Sequence, residues 1–341
     1  MHRVKLPPDQ GRGQAYSWII LLIVAGLFLP VASAQEWKVV REDDFARADG
    51  IEGDLKAIYF IDQNSGWAVG LQGLVLQTVD GGQSWEKVDL QQERVRDLWN
   101  IYFSTDKVGF ITGTGGMLLM TADGGQTWNQ PELNNRRRIT RAWMVTEQLG
   151  FMVGENSTIL KSVDGGQTWS GESERVRVGE KRTNLDDICF VSPTEGWIVG
   201  SFGTVMHTTD AGESWEQITL EEIDHNLYAV FFIDPQTGWI SGQEGLVLHT
   251  TDGGQTWNQQ ETDAYDDLHD IVFIDKQRGW AVGGDIFANM ILHTADGGET
   301  WEPQSGGRST ALRSISVDKQ EETHHIWIGG GAGIILHGQV N

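Results

Sequence analysis

The chain has 341 residues with 48 acidic and 25 basic side chains, and its formal net charge of −23 argues against nucleic acid or anionic membrane as a general partner. Cys189 is the only cysteine, which excludes an intramolecular disulfide, so the fold must rest on packing alone. The 43 glycines and 15 tryptophans are high counts, and both residue types recur in a regular pattern.

The first element in sequence order is an export signal at residues 1–34. Three basic residues precede an apolar run from Trp18 to Leu29, and a small-residue stretch from Val31 to Ala34 follows. This is the pattern of a secretory signal peptide, and the apolar run is short for a membrane span of about 20 residues. We therefore expect cleavage after Ala34, an exported protein of residues 35–341, and no stable membrane insertion after cleavage.

Beyond residue 35, two short motifs recur every 41 to 46 residues. An octet of the form TTDGGQTW (250–257) occurs six times, and a motif of the form GWAVG (66–70) precedes each octet. A seventh copy of the second motif, IWIGG (326–330), has no octet after it. Each unit reads as four short strands, a to d, because apolar and β-branched residues alternate between glycine-rich turns. Blade repeats are predicted near 51–90, 94–133, 136–172, 182–221, 224–261, 265–304 and 309–341.

Four strands in about 40–45 residues are the signature of a β-propeller blade. The seventh unit ends after strand c, whereas residues 35–42 match the segment that follows an octet and can supply the missing strand d. The sequence therefore predicts an all-β fold, a seven-bladed β-propeller with four-stranded blades, in which the N-terminal strand closes the last blade. Such a ring leaves no long free edge, which favours a monomer.

The octet aspartates are predicted to be structural, because an Asp before Gly-Gly forms a tight turn and one catalytic site does not need six equivalent sets. They are Asp80, Asp123, Asp164, Asp210, Asp252 and Asp296. Four histidines follow strand c at equivalent positions, and successive blades would hold them about 10 Å apart, too far for shared metal ligation. They are His207, His249, His293 and His337. We expect no metal and no cofactor.

Basic residues break the repeat between residues 94 and 182, where twelve Lys or Arg stand against ten Asp or Glu in an otherwise acidic protein. Most precede strand a of three successive blades, so the fold would gather them on one sector of one face. Guanidiniums bind carboxylates with two parallel hydrogen bonds, which suggests docking of an acidic segment or of the C-terminus of a protein partner. The alternative is that these arginines are solvated, or pair with nearby glutamates. The candidates are Arg94, Arg96, Arg136, Arg137, Arg138, Arg141, Arg175, Arg177, Lys181 and Arg182.

The GW-x-V-G motif, the Asp-box-like DGGQTW, the seven repeats and the export signal together resemble the photosystem II assembly and stability factor family. The resemblance covers residues 35–341. It implies a non-enzymatic propeller of the periplasm or thylakoid lumen that binds the newly made D1 reaction-centre protein, a membrane-complex subunit, through an arginine-rich patch.

Two other functions share parts of this pattern. A glycosidase of the sialidase type also carries Asp-boxes, but the sequence has no R-I-P segment, and no sequence feature pairs the carboxylates Glu155, Glu244 and Asp285 of the b-to-c turns. A calcium- or sugar-binding propeller without catalysis is the third possibility. We therefore predict a non-catalytic scaffold.

Overall fold

The computed structural model describes residues 36–41, 53–92, 95–171, 177–178, 181–307, 309–318 and 323–341, and the predicted signal peptide lies outside them. Strand β1 (Lys38–Arg41) is followed by seven antiparallel sheets arranged as blades. No helix among the described residues is long and apolar enough to span a membrane.

The strands of each blade follow one another along the sequence. Blade 1 has β2 (Leu55–Phe60), β3 (Gly66–Gly70), β4 (Val75–Thr78) and β5 (Glu86–Lys87); blade 2 has β6 (Leu98–Phe103), β7 (Gly109–Gly113) and β8 (Leu118–Thr121); blade 3 has β9 (Ile139–Met144), β10 (Gly150–Gly154) and β11 (Thr158–Ser162). A hairpin of β12 (Arg177–Val178) and β13 (Lys181–Arg182) comes next, then blade 4 with β14 (Leu185–Phe190), β15 (Gly196–Gly200), β16 (Thr204–Thr208) and β17 (Glu216–Ile218). Blade 5 has β18 (Leu227–Phe232), β19 (Gly238–Gly242), β20 (Val247–Thr250) and β21 (Asn258–Gln260); blade 6 has β22 (Leu268–Phe273), β23 (Gly279–Gly284), β24 (Asn289–Thr294) and β25 (Glu302–Gln304); blade 7 has β26 (Leu312–Val317), β27 (His324–Gly330) and β28 (Ile335–Val340).

The N-terminal strand closes the last blade, as the sequence predicted. Its sheet has the order β1-β28-β27-β26, and Val39 pairs with Leu336. The Nε1 atom of Trp37 donates a hydrogen bond to Oε1 of Gln304 in blade 6, at 2.8 Å. The seven-bladed, all-β prediction is confirmed.

Blades 2 and 3 differ from the others in their outermost strand. Among the described residues, the outermost pairing of these two blades is a single antiparallel bridge, between Met120 and Asn129 in blade 2 and between Lys161 and Ser170 in blade 3. Pro131 follows the first bridge and has no N–H group to donate, so pairing stops. Gly171 follows the second bridge, and the described part of blade 3 ends there.

Aromatic rings stack across the boundaries between blades. The aromatic residue of strand b in one blade lies on the last residue of strand a in the next: Trp239 and Phe273, for instance, are 3.5 Å apart between ring centroids and nearly parallel. The same stack joins Phe60 with Trp327, Trp67 with Phe103, Phe151 with Phe190, and Trp197 with Phe232. The tryptophans of the GW motif therefore join the blades to one another.

Each octet forms a compact turn around its aspartate. In blade 5, Oδ1 of Asp252 accepts hydrogen bonds from Thr250 Oγ1 at 2.8 Å and from Thr256 N at 2.9 Å, while Oδ2 accepts one from Thr256 Oγ1 at 2.7 Å. The N–H group of Gly253, the residue after Asp252, donates a hydrogen bond to the carbonyl of Gln236 in the a-to-b turn, at 2.9 Å. We call the face that carries these turns the box face. Hydroxyl and backbone donors from Thr256 hold the pKa of Asp252 below its usual value.

The opposite face carries the b-to-c turns and the connections into strand a, and we call it the loop face. There the b-to-c turn of one blade is tied to the residue just before strand a of the next. The N–H of Gln72 donates to Asp97 Oδ1 at 2.9 Å, and the N–H of Glu244 donates to Asp267 Oδ1 at 3.2 Å. Both donors have positive φ, which the hydrogen bond helps to stabilise.

The four equivalent histidines stack on tryptophans of the neighbouring strand b in the same blade. The ring centroids of His249 and Trp239 are 4.8 Å apart, with an interplanar angle of 7°. The same arrangement joins His207 with Trp197, His293 with Trp280, and His337 with Trp327. Burial lowers the pKa of His249, His293 and His337, the last to about 4.

These stacks predict a pH-dependent stability. The pKa of His249 is lower in the folded state than in the unfolded state, so protonation favours the unfolded state. The stability that the neutral His249 side chain contributes is therefore lost as the pH falls below about 6.5. We expect replacement of His249 by phenylalanine to keep the stack and remove this loss. Thermal unfolding of the wild type and the variant at pH 8 and pH 5 tests this prediction. The unfolding temperature of the wild type should fall more between the two pH values than that of the variant, and an equal fall in both would contradict the prediction.

Candidate functional site

The seven inner strands, one strand a from each blade, surround a central channel. Each of them has an irregularity in its pairing with strand b near its second residue, for example between Leu55 and Ala57 in β2. At such a bulge two consecutive side chains turn to the same side. The second and third residues of strand a therefore both line the channel near the loop face.

The channel contains two cavities. The cavity near the loop face, which we call the mouth, has a volume of about 380 Å³, and the cavity nearer the box face, which we call the lower chamber, has about 470 Å³. Arg141, Asp187, Asp270 and Ser314 line both, and we call the three charged side chains among them the waist between the two cavities.

One side of the mouth is built around the indole ring of Trp99. The guanidinium carbon of Arg138 lies 4.4 Å from the ring centroid and the Nζ atom of Lys56 lies 5.3 Å from it, both within the range of cation–π attraction. The Nε1 atom of Trp99 donates to Thr114 Oγ1 at 3.1 Å, which fixes the ring. Glu155 is 3.6 Å from Arg138 and holds it from the b-to-c turn.

The other side of the mouth carries Tyr228, His269 and Arg313. The Nη1 atom of Arg313 donates to Nε2 of His269, and burial together with the Arg313 charge lowers the pKa of His269 to about 4. His269 is therefore neutral near pH 7, as an acceptor requires. The hydroxyl of Tyr228 donates to Asp267 Oδ2 at 2.9 Å.

The mouth has an excess of positive charge. The guanidiniums of Arg138 and Arg313 and the amine of Lys56 line it, and Asp186 is the one acidic residue among the described lining of the mouth outside the waist. Burial raises the pKa of Asp186 to about 7, so that this carboxyl is only partly ionised at neutral pH. Cationic donors around a cavity of this size suit a carboxylate or another small anionic group.

The waist is an ion pair with one carboxylate left over. The Nε atom of Arg141 lies 2.9 Å from Asp187 Oδ1, and Asp187 also accepts backbone N–H bonds from Ile188 and, across the blade boundary, from Val230. Asp270 accepts the equivalent backbone bonds but forms no ion pair among the described residues. Burial raises its pKa to about 6, against the lowering effect of Arg141.

The structure separates the basic residues that the sequence grouped. Arg96 and Arg136 are exposed in connections into strand a, and Arg96 lines a polar groove of about 490 Å³ at blade 2. Arg138 lies at the mouth, and Arg141 lies inside the channel as the waist cation.

The remaining candidates lie next to the b-to-c turn of blade 3, in the β12–β13 hairpin, or outside the described residues. The Nη1 atom of Arg137 donates to the carbonyl of Asn156 in the b-to-c turn of blade 3, at 3.2 Å. Arg177 and Lys181 belong to the β12–β13 hairpin, where Arg177 pairs with the exposed Arg182. Arg94 and Arg175 lie outside the described residues.

Sequence reasoning missed the mouth residues at the second position of strand a, among them Lys56, Trp99, Asp186, His269 and Arg313. The available signal was that this position holds a charged or polar residue in five of the seven inner strands or a large aromatic one in the other two, in strands that are otherwise largely buried. In a strand without the bulge, side chains alternate, so the second residue of strand a would point to the opposite side of the sheet from the third residue and away from the channel.

The carboxylates weighed for a glycosidase have local structural partners. Glu155 contacts Arg138, as above, and Oδ1 of Asp285 accepts the N–H groups of Phe287 and Ala288 within its own turn. Glu244 Oε2 lies 3.8 Å from Nε2 of His225. Each of these three carboxylates therefore has a structural contact close to its own turn.

Fold and repeat together define a class: a seven-bladed propeller of Asp-box-type repeats with a basic channel mouth on its loop face. A sequence profile described as "Photosynthesis system II assembly factor YCF48" matches residues 29–140, 138–223, 221–269 and 259–341. The protein belongs to this family. No curated protein sequence matches it significantly.

Solved structures show the same fold at low sequence identity. A structure described as "YCF48 bound to D1 peptide" is 21% identical, with a TM-score of 0.69, over 90% of this sequence and 97% of that one. YCF48 from Cyanidioschyzon merolae is 20% identical, with a TM-score of 0.70, over 89% and 98%. An ancestral GH74 enzyme is 16% identical, with a TM-score of 0.57, over 68% of this sequence and 35% of its own, a likeness of fold alone.

Proposed function

We propose that this protein is a non-catalytic assembly factor, exported and monomeric, that binds an acidic or C-terminal segment of a membrane-complex subunit on its loop face. Family membership supports the assembly role. The observation that carries the binding mode is the mouth, where Lys56, Arg138 and Arg313 surround a cavity in a protein of net charge −23.

The bound segment has two contact zones on this face. Its terminal or side-chain carboxylate enters the mouth, where the two guanidiniums are already oriented by Glu155 and His269. Its flanking residues lie over Arg136 and Arg96, which are exposed at blades 2 and 3. Because a related protein was solved with a D1 peptide, the C-terminal segment of D1, or of its counterpart in the host, is the first ligand to test.

We predict that Arg136→Glu weakens binding of a synthetic D1 C-terminal peptide by roughly tenfold, because a charge-assisted hydrogen bond is replaced by repulsion. Fluorescence anisotropy of the labelled peptide measures the dissociation constant. Lys107→Glu is the matched control, since it makes the same charge change at an exposed position in an a-to-b turn on the box face. Equal affinities of the two variants would contradict the loop-face site.

A peptide with an amidated C-terminus separates the two modes of recognition. If the mouth binds the terminal carboxylate, amidation should weaken binding of the peptide by roughly tenfold, as Arg136→Glu does. If the mouth binds an internal acidic side chain instead, the amidated peptide should bind as tightly as the free acid. Export is tested separately: the N-terminus of the protein isolated from its host should be Gln35.

A further inference from the structure

The lower chamber is a second cavity in the channel, and it lies nearer the box face than the mouth does. Its wall consists of the fifth residues of the inner strands, and four of these are large aromatic side chains: Tyr59, Tyr102, Trp143 and Phe231. With a volume of about 470 Å³, it falls within the range of cavities that bind small molecules, roughly 300–1,000 Å³.

The aromatic wall is fixed in place by contacts between blades. The ring of Tyr102 lies 5.6 Å from that of Trp143 in a stacked pair and 5.8 Å from that of Tyr59 in an edge-to-face pair. The hydroxyl of Tyr59 donates to the carbonyl of Phe103 at 2.8 Å, and the hydroxyl of Tyr102 reaches the carbonyl of Met144 at 3.5 Å. A ligand would therefore meet a preorganised apolar surface.

The inner end of the chamber is negatively charged. Among the described residues that line the chamber, Arg141 is the one basic side chain, whereas Asp187 and Asp270 are two acidic ones. Arg141 is bound to Asp187 at 2.9 Å, so the hydrogen bonds that Asp270 accepts from described residues come from the N–H groups of Ile271 and Ile315, each at 3.0 Å. Asp270 is 8% exposed and shares the charge of Arg141 with Asp187, which pairs with it directly, so this buried carboxylate is only partly balanced.

We propose that the lower chamber binds a small organic cation, with its ammonium or guanidinium group against Asp270 and a flat apolar body along Tyr102 and Trp143. The chamber offers the two properties such a ligand needs, a buried carboxylate with no ion pair of its own among the described residues and an aromatic wall. The mouth, at the other end of the channel, has the opposite charge. The two ends of one channel thus select ligands of opposite sign.

The test uses benzylammonium at pH 7.5, with benzyl alcohol and benzoate as neutral and anionic probes of nearly the same shape. Titration calorimetry on the whole protein should show benzylammonium binding at least tenfold more tightly than either. This comparison needs no mutation, so it does not depend on a variant folding. Equal binding of the three probes, or no binding of benzylammonium, would overturn the proposal.

Two variants locate the binding site. Asp270→Asn should weaken benzylammonium binding at least tenfold, whereas Asp186→Asn, which removes a carboxyl from the mouth, should leave it unchanged. Thermal unfolding shows that each variant is folded before titration. If Asp186→Asn weakens binding as much as Asp270→Asn does, the cation binds elsewhere and the lower chamber is not the site. The outcome is independent of peptide binding on the loop face.

Discussion

Replacement of Trp239 by alanine is expected to lower the free energy of unfolding by about 3–5 kcal/mol, the range for truncating a buried aromatic side chain. Trp239 is fully buried, lies 3.5 Å from Phe273 of the next blade between ring centroids, and stacks on His249 in its own blade. Its Nε1 atom donates to the carbonyl of Gly297 at 3.2 Å. The truncation therefore leaves a cavity at a blade boundary and removes one of the two hydrogen bonds that the Gly297 carbonyl accepts, the other coming from Gln260 Nε2.

Equilibrium unfolding in urea measures this loss. Tyr265→Ala is the control, because Tyr265 is 88% exposed and its truncation should change the free energy of unfolding by less than about 0.5 kcal/mol. If Trp239→Ala cost no more than the control, the stacked aromatic pairs would not be what joins the blades.

The second large effect is expected at the waist, where Arg141→Met should destabilise the protein by about 3–5 kcal/mol. The substitution removes the cation that the described chamber lining provides for Asp187, which is 3% exposed, and Asp270, which is 8% exposed. The double variant Arg141→Met/Asp187→Asn should recover most of this loss, because it also removes the carboxylate charge that the guanidinium pairs with directly.

The pH dependence of the Arg141→Met deficit gives an independent check. Burial raises the pKa of both aspartates above that of a free carboxyl, so each contributes a penalty that is present above the folded-state pKa and is relieved as the pH falls through it. The pKa of Asp270 is about 6 with Arg141 in place. The deficit should therefore be larger at pH 8 than at pH 5, and a deficit independent of pH would mean that lost packing dominates.

The fold could be predicted because its evidence is local and repeated. Each blade is marked by its own glycine-rich motif, six of them also by an octet, and the resemblance of residues 35–42 to a post-octet segment identified the closing strand. What failed was strand d of blades 2 and 3. In blade 2 Pro131 ends the pairing, and its effect depends on where it falls within a very short strand, while the described part of blade 3 ends at Gly171.

The site was harder to predict, because the bulge in strand a overrides the alternation of side chains. Arg141 was grouped with the loop arginines by its position in the sequence, yet the channel directs it to Asp187, a residue of the next blade. Lys56 and Arg313 lie 257 positions apart and meet only because the ring closes. The charge composition of residues 94–182 indicated which blades carry basic residues. The cavity could not be predicted in this way, because its lining comes from blades that are far apart in the sequence.

Closure of blade 7 by β1 has a kinetic consequence. The pairing of Val39 with Leu336 joins positions almost 300 residues apart, and it cannot form before the last blade has been synthesised. Contacts of such large sequence separation slow folding, although the entropy of closing a loop grows only slowly with its length. The blades can therefore order one after another by neighbour contacts, and the seam at β1 and β28 forms last. The same seam is where the ring should open first, as a local unfolding unit that exposes the edge of blade 7 while the other six blades stay folded.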